Sequence, residues 1–168
     1  MPTPRCEIVN SSQPGVYHCI SRCVRRAYLC GDGYEHRRSW MERRIAELTN
    51  HMGIDVFAYS ILSNHFHVLL AIRPDVVEAW SDDEVADRYL RICPCRWKRR
   101  IRGIPVDSDP TAEEVDELVT DQKKLIAARK RLGCLSWFMA KLKEPIARRA
   151  NVEDDCTGRF WEGRFKGI

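Results

Sequence analysis

No stretch of this 168-residue chain is apolar for the roughly 20 residues that a membrane-spanning helix requires. The first residues, MPTPRCEIVNSSQPG, lack the apolar core of an export signal, so a cytoplasmic location is expected. Eight cysteines are present, yet Cys6, Cys19, Cys23, Cys30, Cys93, Cys95, Cys134 and Cys156 form no Cys-x-x-Cys pair. With no export signal, the expectation is reduced thiols rather than a disulfide framework. Cys93-Pro94-Cys95 has some soft-metal character, but a lone Cys-x-Cys is a weak zinc signal. There is no internal repeat and no low-complexity tract, so neither a solenoid nor a long disordered segment is expected.

What is present fits a soluble globular protein: 44% hydrophobic and 31% charged residues, in a chain long enough for one domain spanning 1–168 with a core of its own. The net charge of +4 is small, but it is unevenly spread. RICPCRWKRRIR, residues 91–102, carries six basic residues and no acid. Arg22, Arg25 and Arg26 form a second cluster, and Arg148, Arg149, Arg159, Arg164 and Lys166 a third. The acids gather in residues 78–87 and 107–117. Such segregation suits a polyanion on one side of the molecule; its bland counterpart is a set of solvated helix faces.

Periodicity sets out the elements. VYHCISR, residues 16–22, alternates after Pro14-Gly15 and predicts a strand. Trp40, Met41, Arg44, Ile45, Leu48 and Met52 recur at helical spacing, predicting a helix over 35–52 stopped by Gly53. DVFAYSIL and HFHVLLAI flank Ser63-Asn64 and read as a β-hairpin. Residues 74–100 read as helix in pieces, broken at Cys93-Pro94-Cys95, followed by a loop. Thr111-x-x-Glu114 resembles a capping box opening a helix that runs toward Gly133. A last helix carries Leu135, Phe138, Met139, Leu142 and Ile146, and 160–165 reads as a short closing strand. The order predicts an α+β fold: a ferredoxin-like or RRM-like antiparallel sheet with helices on one face and a helical insertion at about 81–133.

On the second hairpin strand, His65 and His67 share a face, roughly 6.5–7 Å apart at Cα, while Phe66 and Val68 point the other way. Two imidazoles side by side on a rigid element can grip one metal ion; two half-buried histidines bridged by water are the bland alternative. If Phe66, Val68 and Leu70 face the helices, the histidines face outward.

GVYHCISRCVRR, FAYSILSNHFHVLL and GRFWEGRFK, in that order, resemble the single-tyrosine HUH transposases, in particular the bacterial relatives associated with repetitive extragenic palindromes. The resemblance covers about 14–72 and about 134–166, with His65, Phe66 and His67 as the His-hydrophobic-His motif. It implies a protein of DNA transposition that acts on single-stranded or hairpin DNA. The histidine pair would hold a divalent ion, Mg²⁺ or Mn²⁺, at the scissile phosphate, and a tyrosine on the C-terminal helix would attack it. It further implies a homodimer and a polar third metal ligand near that tyrosine, for which Asn151 is the candidate, its bland reading being an Asn that ends a helix; the basic clusters add DNA contacts from Arg22, Arg25, Arg26, Arg159, Trp161, Arg164 and Lys166. Trp161 is equally well read as a core residue.

The chain departs from that pattern at the nucleophile. No tyrosine follows Tyr89, and the expected slot holds Ile146, next to Pro145, which is expected to break or restart the helix. The end at Ile168 falls where the family usually continues, which reads as a truncated or divergent copy. Tyr59, read as core, Tyr89 and Ser136 are weak substitutes. The competing expectation is therefore a DNA-binding remnant without chemistry. A third, an unrelated H-x-H metallohydrolase, would need further ligands from His18, His36 or His51, of which His18 sits on the first strand.

Overall fold

The computed structural model describes residues 13–31, 33–105 and 107–167; Cys6, the rest of the N-terminal segment and Ile168 lie outside them. Strand β1 (Gly15–Arg22) is followed by a 3₁₀ turn (Val24–Arg26), helix α1 (His36–His51), and the hairpin β2 (Ile54–Ile61) and β3 (His65–Ile72). Five helices come next: α2 (Pro74–Ala79), α3 (Asp82–Ile92), α4 (Arg96–Arg102), α5 (Ala112–Thr120) and α6 (Gln122–Leu132). Helix α7 (Leu135–Glu153) and the two-residue strand β4 (Lys166–Gly167) complete the chain. The sheet order is β2-β3-β1-β4 with every pairing antiparallel, so the fold is the α+β ferredoxin-like arrangement the element order predicts.

Strand alternation decides which face is core. Phe66, Val68, Leu70 and Ile72 of β3 are fully buried, with Tyr17 and Cys19 of β1 beside them. They pack with Trp40, Met41, Ile45 and Leu48 of α1 and Phe138, Met139, Leu142 and Ile146 of α7. Burying each large apolar side chain contributes about 1.5–3 kcal/mol, so this one face accounts for most of what holds the sheet to its helices. The opposite face carries His18, Ile20, Arg22, His65 and His67, all partly exposed.

Four expectations are corrected. Helix α7 runs unbroken through Pro145. A proline there leaves the carbonyl four residues back without its helical partner. That carbonyl, on Lys141, instead accepts a hydrogen bond from Arg44 Nε at 3.1 Å. The helix opened by the Thr111 capping box stops at Thr120, and Asp121 caps a new one by accepting from the Lys124 amide. Residues 160–165 do not form the closing strand. Phe160, Trp161 and Phe165 are buried in the core, Trp161 makes a single bridge to Cys23, and the pairing with β1 falls at Lys166–Gly167. Tyr59 is not core: it is 46% exposed.

Gly53 anchors the run of helices between β3 and α7. A Cβ there would lie 2.2 Å from a Val77 methyl, and its amide and carbonyl bond to Leu132 and Arg73, at the far and near ends of that run. The hydrogen of glycine is what lets the two chain ends meet the hairpin base.

Candidate functional site

The uncovered sheet face brings three imidazoles together. His65 and His67 rings lie 5.1 Å apart, edge to face, and His18 stacks on His67 at 5.0 Å. His18 reaches the group from β1, where Ile20 pairs with His67 and Arg22 with His65. His18, expected on the first strand and within possible reach of the pair, does reach it. The alternation that puts His18, Ile20 and Arg22 on one face was the available signal.

Hydrogen bonds fix how the rings present themselves. Asn64 Nδ2 donates to the Arg26 carbonyl at 3.2 Å, which turns its Oδ1 toward His65 Nδ1 at 2.6 Å. An amide oxygen only accepts, so His65 Nδ1 is the donor, and the neutral tautomer with this bond has its lone pair on Nε2. His67 Nδ1 lies 2.8 Å from His18 Nε2, a pair that shares one proton and leaves His67 Nε2 outside the contact. Burial holds the His67 pKa below the ordinary histidine value, helped by the nearby His65, His18 and Arg22, so the neutral ring is favoured. An imidazole whose other nitrogen is already engaged is the common form of a metal ligand.

The donor set stops there. Among the described residues no group of three His, Cys, Asp or Glu side chains is placed to hold an ion. Asn151 is engaged elsewhere: its Nδ2 donates to the Gly158 carbonyl at 3.0 Å and its Oδ1 faces the Cys156 thiol at 3.7 Å. Two imidazole Nε2 atoms fit an ion whose remaining positions are filled by phosphate and water, and do not fit a closed structural site. Cys23, Cys30, Cys93, Cys95, Cys134 and Cys156 carry free thiols.

Cations frame the face. Arg25 and Arg26 are exposed in the 3₁₀ turn, at φ 53° and 55°, a left-handed conformation that non-glycine residues rarely adopt. Backbone bonds from Cys23 to Asn64 and from Cys30 to Ser63, each 2.8 Å, tie this segment to the hairpin turn. A pocket of about 220 Å³ beside β1 is lined by Ile20, Arg22, Glu162, Gly163, Arg164 and Lys166. Arg159, Arg164 and Lys166 are exposed. Trp161 is not available to stack on a base: it is buried, packs edge-on against Phe66 and Phe160, and donates its indole N–H to the Lys143 carbonyl at 3.0 Å.

No nucleophile stands in the expected slot. Ile146 is 4% exposed and points into the core, so its helix position does not face the histidines. Tyr59 pairs with Val68 and therefore projects to the opposite side of the sheet from His67. Tyr89 stacks on Trp137 and accepts from Arg131 at 2.6 Å, and Ser136 is exposed on α7. Tyr28, a residue no motif marks, is 59% exposed within the segment bonded to the hairpin turn.

No family model matches the chain. No curated protein matches it by sequence. Among solved structures it is similar to a crystal structure at 1.90 Å of a Deinococcus radiodurans R1 protein provisionally named a transposase, with a TM-score of 0.43 and 12% identity over 93% of this chain and 78% of that one. It is also similar to a REP-associated tyrosine transposase bound to a REP hairpin, with a TM-score of 0.36 and 9% identity over 92% of this chain and 55% of that one; this chain spans about half that protein's length.

Proposed function

We propose that this chain is a transposase-type DNA-binding protein that presents single-stranded or hairpin DNA to His65 and His67. The observation that carries the reading is the pair of imidazoles on the uncovered sheet face, each hydrogen-bonded through Nδ1, beside cations that have no carboxylate partner among the described residues. His65 and His67 would hold a divalent ion, which when bound supplies Lewis-acid stabilisation of a phosphate. Mn²⁺ suits imidazole better than Mg²⁺ does. Asn64 keeps His65 in the ligating tautomer, and His18 orients His67. Arg22, Arg25, Arg26, Arg159, Arg164 and Lys166 would contact the DNA backbone.

Covalent strand transfer is not part of the proposal, because the α7 slot is aliphatic and buried. The reading closest to the residues is DNA binding with weak or absent cleavage. Incubation with labelled hairpin DNA and Mn²⁺, followed by denaturing electrophoresis, tests it. The expected result is bound DNA with no protein–DNA adduct. An adduct that survives denaturation contradicts it, and mapping that adduct to Tyr28 identifies a relocated nucleophile.

A further inference from the structure

Behind the sheet lies a much larger feature that the histidine face does not use. A groove of about 1100 Å³ runs between α1, α7 and the α3–α4 segment. Its lining includes eight arginine or lysine side chains against four carboxylates. Several of these cations are neutralised in place: Arg44 by Glu47, Arg91 by Asp109, and Arg148 by Glu144. Four are not. Arg43, Arg96, Lys141 and Arg149 have no carboxylate within ion-pair distance among the described residues.

Two of the four are held by aromatic rings instead. The Arg149 guanidinium lies 3.8 Å over the Trp40 ring and the Lys141 ammonium 5.3 Å from the Trp137 ring. A cation seated on a ring face is positioned while its N–H donors stay free, which favours a phosphate. The volume exceeds the roughly 300–1,000 Å³ of ordinary small-molecule sites, and the cations are strung along three elements rather than converging on one point. That layout matches an extended, repeating anion. The local field is positive at His51 too: burial lowers its pKa first, and Arg91 and Arg88 lower it further against Glu47 and Asp87.

We infer that this groove is a second DNA site, in which Arg43, Arg96, Lys141 and Arg149 bind the phosphodiester backbone of a duplex stem, on the face opposite the histidines. The inference rests on the DNA reading proposed above and adds to it the part of the hairpin that the sheet face does not hold. Duplex contacts then depend on the helical face, and single-strand contacts on the sheet face.

Fluorescence anisotropy with a stem-containing hairpin and with an unfoldable single strand of equal length separates the two. The double variant Arg43→Glu/Arg96→Glu changes exposed positions. It should weaken hairpin binding about tenfold or more and lower the salt slope by about 2, while single-strand binding stays within about twofold. The second measurement is the His51 ring resonance in the unaltered protein, whose titration should move to higher pH when the hairpin binds and not when the single strand does. Hairpin affinity within about twofold of wild type, with an unmoved His51, overturns the groove and leaves the sheet-face reading standing. Binding of neither DNA by the wild-type chain overturns both.

Discussion

Two sets of basic residues in this molecule are in opposite company. In the helical run after β3, Arg88 lies 2.8 Å from Glu84, Arg91 2.8 Å from Asp87 and 2.5 Å from Asp109, Lys98 2.7 Å from Glu117, and Arg102 pairs with Glu117 as well. Arg99 is buried and takes both oxygens of Glu114 at 2.8 Å while donating to the carbonyls of Pro105, Ser108 and Asp109. Along the sheet edge, Arg22, Arg25, Arg26, Arg159, Arg164 and Lys166 have no carboxylate partner among the described residues. The first set has its ligand built in; the second is left for one that comes from outside. Sequence clustering alone does not separate them, because an ion pair already made contributes little to capturing a polyanion.

The largest effect is expected at Arg99. Removing one partner of a buried pair leaves an uncompensated charge and typically costs about 3–5 kcal/mol. Arg99→Ala should therefore lower stability by about that much in denaturant unfolding, with hairpin affinity unchanged in the folded fraction. An equally stable variant would show that the cluster is solvated rather than structural.

Next in size is the sheet edge. Arg22→Glu/Arg25→Glu/Arg26→Glu should weaken hairpin binding by about two orders of magnitude and flatten the salt slope, because each lost phosphate contact removes about 0.7–0.9 from it. Lys98→Glu/Arg102→Glu, in the paired set, should change affinity by no more than about twofold. Equal losses from the two variants would erase the distinction between the regions.

Acid acts on the paired set alone. Arg102 and Lys98 hold the Glu117 carboxyl down at about 2, and Arg99 lowers that of Glu114. A carboxyl whose folded pKa is depressed stabilises the fold above its unfolded value, about 4.5, and that contribution is lost as pH falls toward the folded value. The helices α3–α6 should thus loosen between about pH 4.5 and 2. Tryptophan fluorescence of Trp97, which is 71% exposed, or amide exchange across that segment would report it. The smallest effect is expected at Arg73, whose pairs with Asp55 and Asp75 are surface-exposed: Arg73→Ala should leave the denaturant-unfolding midpoint nearly unchanged.

What the sequence disclosed follows from how local each determinant is. The period-2 alternation of HFHVLLAI was sufficient to bury Phe66, Val68, Leu70 and Ile72 and turn His65 and His67 outward. The Thr111 capping box was legible because its partner is three residues away. The passage of α7 through Pro145 was not, since the group that takes over the Lys141 carbonyl is Arg44, 97 residues distant. The same holds for Trp161, whose neighbours Phe66 and Lys143 come from other elements, and for Lys98, Arg99 and Arg102, whose carboxylates lie 15 to 19 residues along the chain. His18 joined the site because strand register brought it there.

We propose that the two outward imidazoles of His65 and His67 form one site for a divalent ion. Calorimetric titration of Mn²⁺ into the wild-type chain, His65→Ala and His67→Ala tests it most directly, with Asn151→Ala as the reference. The wild type should show a single class of site, either histidine variant a loss of about tenfold or more in affinity, and Asn151→Ala an unchanged isotherm. Equal Mn²⁺ affinity in the wild type and His67→Ala would contradict it.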